Sequence, residues 1–219
     1  MPARSPRAVA GFGAAGGLVL VVVLGLLVRI RVIHDEIDLE WMEEIVEHRA
    51  SVWDLPSRLF DFIGGGWFAI WVLPVAIAVV FLVARRPWAA LTFILTSAIS
   101  AGLVQLLKVA FGRSRPEEIL LQLDSGAYPS GHVANAATVA VLLTLLLARW
   151  GIAVGGAVYV VLMALSRTYL GAHWVTDTIG GALVGAAVAL GMWAAFAPKI
   201  RRERERPSPA PERADSVEP

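Results

Sequence analysis

The chain has no cysteine. Disulfides, thiolate metal sites and a cysteine nucleophile are thereby excluded. Charge is scarce as well: Asp, Glu, Lys and Arg make up 17% of the 219 residues, where soluble domains run nearer a quarter. The net charge is only +1, too small to point to a nucleic-acid partner. No convincing internal repeat is visible, which argues against the inverted-repeat architecture of a transporter.

Apolar residues are plentiful, at 57% of the chain, and they gather into six long runs, at residues 8–28, 67–84, 88–111, 132–148, 151–170 and 176–197. A hydrocarbon core of about 30 Å takes roughly 20 apolar residues per helix. A lone strand would leave its backbone groups unpaired in lipid. The expected fold is therefore all-α, a polytopic membrane protein with six transmembrane helices. Pro74 inside the second run predicts a kink. Gly180, Gly181, Ala182, Gly185 and Ala186 in the sixth predict close helix packing. The first run follows Arg4 and Arg7 as a signal peptide would. It is longer than a typical signal core of about 7–15 residues, however, and Arg29 and Arg31 follow it without a small-residue cleavage site, so it reads as a span.

Basic residues in short loops set orientation. Arg4 and Arg7, Arg85 and Arg86, Arg149, and Lys199, Arg201 and Arg202 all fall on one side of a six-span layout, which predicts cytoplasmic N- and C-termini. The opposite loops are acidic or mixed. Four arginines break this rule: Arg29 and Arg31 at the outer end of the first helix, and Arg113 and Arg115 after the third. Between the first two spans, Ile37, Trp41, Ile45, His48 and Val52 form a helical stripe beside Glu36, Asp38, Glu40, Glu43, Glu44 and Glu47. Such an acidic helix either lies on the membrane surface or packs over the bundle mouth as a lid; the surface placement is the preferred one. Residues 1–200 are expected to form the membrane domain. Residues 201–219, rich in Pro, Glu and Arg, read as a disordered cytoplasmic tail.

Three polar clusters interrupt the apolar pattern, and the orientation puts all of them on the outer side. The first is Lys108 with Arg115-Pro116, and Arg113 between. The second is Pro129-Ser130-Gly131-His132. The third is Ser166-Arg167, His173 and Asp177. Ionisable residues at such depths are costly and usually functional. Lys108, Arg115 and Arg167 supply three cations suited to a phosphoryl group, with Arg able to grip two oxygens. Ser130 and Gly131 precede a helix whose free N–H groups form an anion site, and Gly131 lets an oxyanion approach the backbone. His173 can attack phosphorus if Asp177, four residues on, holds its other ring nitrogen. His132 is then free to protonate the leaving oxygen and to activate water. Taken singly, each has a plainer reading. Lys108 could snorkel, Arg113 and Arg115 could anchor at the interface, and Pro129-Ser130-Gly131 could be a turn and cap. Together they would need coincidence to share one membrane face.

In this order the clusters resemble the phosphatidic acid phosphatase type 2 superfamily. That family's pattern is Lys-x6-Arg-Pro, Pro-Ser-Gly-His and Ser-Arg-x5-His-x3-Asp, and no position of it is missing between residues 108 and 177. The resemblance implies a metal-independent integral-membrane phosphatase without cofactors. In it His173 is the nucleophile, Asp177 orients it and His132 is the general acid and base. Lys108, Arg115, Ser130, Gly131 and Arg167 hold the phosphate, with Arg113 in a supporting role. The implied substrate is a lipid phosphate or diphosphate drawn from the bilayer at the outer membrane face: phosphatidylglycerol phosphate, polyprenyl diphosphate or phosphatidic acid. The same superfamily contains vanadate-dependent haloperoxidases, which share the oxyanion pocket, but they are soluble, and the spans argue against that reaction. A phosphotransferase passing phosphate to an acceptor other than water would share the first half-reaction.

Overall fold

The computed structural model describes residues 5–31, 37–121 and 125–205. Among them eight α-helices form: α1 (Pro6–Arg29), α2 (Leu39–Glu47), α3 (Asp54–Gly64), α4 (Leu73–Val83), α5 (Pro87–Phe111), α6 (Gly131–Leu147), α7 (Trp150–Tyr169) and α8 (Val175–Arg204). Local chemistry sets several of their ends. Ser5 accepts from the Ala8 N–H at 3.3 Å, and Pro6 opens α1, where its missing N–H costs nothing. Gly112, at φ +56°, stops α5 in the left-handed conformation that glycine adopts without strain.

Four helices, α1, α5, α7 and α8, are long and apolar enough to cross a membrane. Ser51–Gly64 and Phe68–Val83, bent by 47°, make a fifth if the pair is one span. The expected count was six. The remaining run became α6, 17 residues long, or about 26 Å at 1.5 Å per residue, somewhat short of the hydrocarbon thickness. The break in the second run also differs from expectation. Pro74 lies in the first turn of α4, behind a loosely wound π turn at Phe68–Val72. The large bend comes earlier, at Gly64, Gly65 and Gly66.

α6 and α8 pack at the centre of the bundle, and the small residues of α8 explain how. A Cβ on Gly181 would lie 2.4 Å from the Ser130 carbonyl oxygen, and one on Gly185 would lie 2.2 Å from that of Ala134. Side chains there would force the two backbones apart. On its other side α8 meets α1, where Gly17 faces Ala187. The stretch read as a packing surface is one.

Two expectations are corrected. The acidic stripe at 37–52 is not one surface helix. α2 ends at Glu47, and its Met42 is buried against Ala127 and Trp174 at the bundle mouth. Asp38 is fully buried. Arg49 then ties the chain to the end of α7 through the Tyr169 carbonyl and to the loop after α5 through the Glu118 carbonyl, both at 3.1 Å. The second correction concerns the tail. α8 continues through Arg204, and Glu203 accepts from the backbone N–H groups of Trp88 and Ala89, at 2.6 and 3.2 Å. This carboxylate caps α5 from a neighbouring helix. The remainder of the tail expected at 201–219, residues 206–219, lies outside the described residues.

The antiparallel course of α5 through α8 separates the two kinds of charge. Arg86, Lys199 and Arg204 gather at one end, where Arg86 donates to the Leu146 carbonyl at 2.9 Å and Lys199 sits 3.9 Å over the Trp88 ring. The three polar clusters lie at the other end.

Candidate active site

Every residue singled out from the sequence comes to that end. Lys108 occupies the last turn of α5 and donates to the Gly126 carbonyl. Arg115, in the loop beyond, donates to the Ser125 carbonyl at 3.0 Å and to the Ala172 carbonyl, with Nη1 3.5 Å from His173 Nε2. Arg167 sits in the last turn of α7, fully buried. His173 lies in the short loop between α7 and α8, 2% exposed. Ser130 and Gly131 start α6, and the Ser130 N–H is strapped to the Asp177 carbonyl at 2.9 Å. That bond ties the second cluster to the third.

The polar groups left over are informative. Among the described residues, Ser130 Oγ, Arg167 Nε and Nη2, and His173 Nδ1 are buried without a hydrogen-bond partner. Buried donors are seldom left so. A serine serving only as a helix cap would spend its hydroxyl on the first turn, and Ser130 makes no such bond. The cations converge on one ring: Arg115 Nη1 lies 3.5 Å from His173 Nε2, and the charges of Arg167, Arg115 and Lys108 all act on that imidazole. Burial holds the His173 imidazole well below the ordinary histidine range, and the charges of Arg167, Arg115 and Lys108 push the same way. The ring therefore stays neutral, with a lone pair to give.

Asp177 approaches His173 Nδ1 to 3.6 Å, just beyond hydrogen-bond length. Its Oδ2 accepts from the Trp174 N–H at 2.9 Å instead, capping α8. Its Oδ1 pairs with Arg113 at 2.5 Å. Arg113, read as a supporting phosphate ligand, is thus bonded to the carboxylate behind His173. It also pairs with Asp38 at 2.5 Å and donates to Thr176 Oγ1 at 2.7 Å.

Two carboxylates escaped the sequence reading. Asp38 accepts from the Thr176 N–H at 3.0 Å and its hydroxyl at 2.7 Å, as well as from Arg113. It locks the start of α8 to the segment before α2. Asp61 on α3 pairs with Arg167 and stands 3.1 Å from His132 Nε2. It holds one phosphate-type cation and the second histidine together. The glycines that end α3 make this approach possible. A Cβ on Gly65 would lie 2.1 Å from His132 Nε2.

The PAP2 superfamily pattern matches residues 89–201. The chain belongs to the PAP2 superfamily. Phosphatidylglycerophosphatase B of Bacillus subtilis is 31% identical over 132 residues, covering 56% of this chain and 64% of that protein. Undecaprenyl-diphosphatase of Sulfolobus acidocaldarius is 29% identical over 127 residues, covering 55% of this chain and 60% of that protein. This chain spans less than two thirds of the length of these curated relatives. Among solved structures, the transmembrane PAP2-type phosphatidylglycerolphosphate phosphatase of Bacillus subtilis superposes with a TM-score of 0.76 at 25% identity, over 87% of this chain and 98% of that one. LpxE of Aquifex aeolicus gives 0.64 at 26% identity, over 73% and 97%. With its spanning helices and these neighbours, this PAP2 chain is a multi-pass membrane protein.

Proposed function

We propose that this PAP2 protein is a membrane phosphatase that removes the terminal phosphate of a lipid phosphate or diphosphate through a phosphohistidine on His173. The observation that carries the reading is the set of unpartnered buried donors, Ser130 Oγ and Arg167 Nε and Nη2, beside a buried neutral imidazole. Phosphate oxygens would satisfy these donors, and Lys108 and Arg115 would balance the charge. His173 Nε2, the nitrogen away from Asp177, attacks phosphorus, and the bond from phosphorus to the lipid oxygen breaks. His132 gives that oxygen its proton. Water, deprotonated by the same His132, then displaces the phosphate from His173. Asp177 steadies the ring from behind, and the transition from 3.6 Å to a hydrogen bond would accompany substrate binding, since such contacts often tighten only in the loaded enzyme.

Phosphatidylglycerol phosphate and polyprenyl diphosphate are the leading substrates, supported by the names of the relatives. Phosphate release from a panel of lipid mono- and diphosphates in detergent, with a chelator present, tests the reading. Turnover without added metal and competitive inhibition by vanadate are expected. Strict dependence on Mg²⁺ would sink the mechanism.

The six-span layout, with the reaction on the outer face, rests on the charge difference between the two ends of the bundle. Ser125 is exposed and lies at the Arg115 end. A cysteine placed there should react with an impermeant maleimide on intact cells. Reaction only after lysis would reverse the orientation.

A further inference from the structure

Arg29 and Arg31 stand against the charge pattern of the chain, and the chemistry around His173 leaves them unused. With Arg113 they line a cavity of about 240 Å³ between the C-terminal ends of α1 and α5. Ser114 adds a hydroxyl, and Gly25 and Phe111 give the cavity an apolar wall. Among the described residues no acidic side chain lines it. Arg29 Nη1 donates to the Ala110 carbonyl at 2.7 Å, which fixes its guanidinium at the end of α5. A guanidinium has five N–H donors, so this bond spends only part of it. Arg31 is exposed, and its side chain makes no hydrogen bond among the described residues. Arg113 is committed to Asp38 and Asp177 and contributes its field and one wall.

The position of the cavity names the ligand. α1 is a candidate span, and Leu18, Val22 and Leu26 on it face outward, as lipid-contacting residues do. Arg29 and Arg31 follow that surface at once, at the depth where hydrocarbon gives way to headgroups. At this depth guanidinium groups meet phospholipid headgroups, and guanidinium matches a phosphodiester with paired donors. We propose that this cavity binds the phosphodiester headgroup of an anionic phospholipid, such as phosphatidylglycerol, as a second lipid site separate from the pocket at His173. Free phosphate offers the same oxygens but no chain to lie along Leu26 and Leu18. Because Arg113 is shared, the bound headgroup would lie one residue away from the carboxylate behind the nucleophile.

Native mass spectrometry of the delipidated full-length protein, titrated with phosphatidylglycerol or phosphatidylcholine, tests the proposal. One phosphatidylglycerol should be retained at concentrations where phosphatidylcholine is not. Arg31→Gln should weaken retention roughly fivefold, and the Arg29→Gln/Arg31→Gln pair by about 20-fold. Arg31→Gln guards against misfolding, since it removes no internal bond, and hydrolysis of a water-soluble phosphate ester checks the fold of both variants. Retention that is equal for the two lipids, or unchanged in both variants, would overturn the proposal. So would displacement of the lipid by equimolar glycerol phosphate, which would mark an ordinary anion site. His173→Ala should retain phosphatidylglycerol like the wild type; loss there would put the lipid in the reaction pocket instead.

Discussion

Replacing His173 with Ala should lower phosphate release by roughly 10⁴-fold or more, while the protein remains folded and still binds vanadate. The separation of these effects follows from the geometry. Among the described residues His173 Nδ1 makes no hydrogen bond, and the ring's Nε2 makes one long contact, with Arg115 Nη1 at 3.5 Å, so the substitution disturbs little of the internal network. Asp177 keeps its bonds to Arg113 and the Trp174 N–H. Lys108, Arg115, Arg167 and Ser130 remain to hold the oxyanion. What disappears is the nitrogen proposed to make the covalent bond. A brief exposure to ³²P-labelled lipid phosphate should therefore label the wild-type chain and leave His173→Ala unlabelled. His132→Ala should behave differently with a substrate whose leaving group needs no proton, such as p-nitrophenyl phosphate. Label should accumulate there, because the step that needs His132 is then the attack of water. Full turnover in His173→Ala would end the phosphohistidine reading.

The residues legible in the sequence share one property. Each belongs to a short pattern that a local element keeps together: a helix end at Lys108, a helix start at Ser130 and Gly131, and a loop running into a helix at His173 and Asp177. The long apolar runs were legible for a similar reason, since bilayer thickness fixes their length. What escaped has no such locality. Asp61 meets Arg167 across 106 residues, and Asp38 meets Thr176 across 138. Both come from a stretch crowded with carboxylates, where nothing in the sequence separates a buried pair from a solvated face. α3 was hidden too. Asp54, Ser57, Arg58 and Asp61 interrupt its apolar residues, so the run appears to begin only at Trp67. Without α3 there was no reason to see that Gly64 and Gly65 bring a carboxylate to His132.

These hidden residues give the site a layered construction. The groups proposed to hold phosphate, Lys108, Arg115, Ser130 and Arg167, each come from a different element. Such donors hold position only if the elements do. Asp61 fixes α3 to α7 and to the start of α6. The Ser130 N–H bond to the Asp177 carbonyl fixes α6 to α8. Preorganised donors aimed at developing charge need no rearrangement at the moment of reaction, and these bonds supply the rigidity.

Arg113→Ala should show what the last of these ties is worth. The guanidinium lies between two fully buried carboxylates, Asp38 and Asp177, at 2.5 Å from each. Removing one partner of a buried ion pair strands the other's charge and typically costs about 3–5 kcal/mol. Here two charges are stranded at once. The variant should melt well below the wild type in detergent, and its kcat should fall because Asp177 no longer stands squarely behind His173. Adding Asp38→Asn should recover part of the melting temperature, since it removes one stranded charge, and the coupling between the two substitutions can be read from a double-mutant cycle. It should recover little of kcat, because Asp177 still lacks its partner. A phosphate ligand would give the opposite signature: KM would rise, the melting temperature would hold, and Asp38→Asn would rescue nothing. The two outcomes separate cleanly, and the first is the expected one, because Arg113 pairs with Asp38 and Asp177, whereas the guanidinium beside His173 Nε2 is that of Arg115.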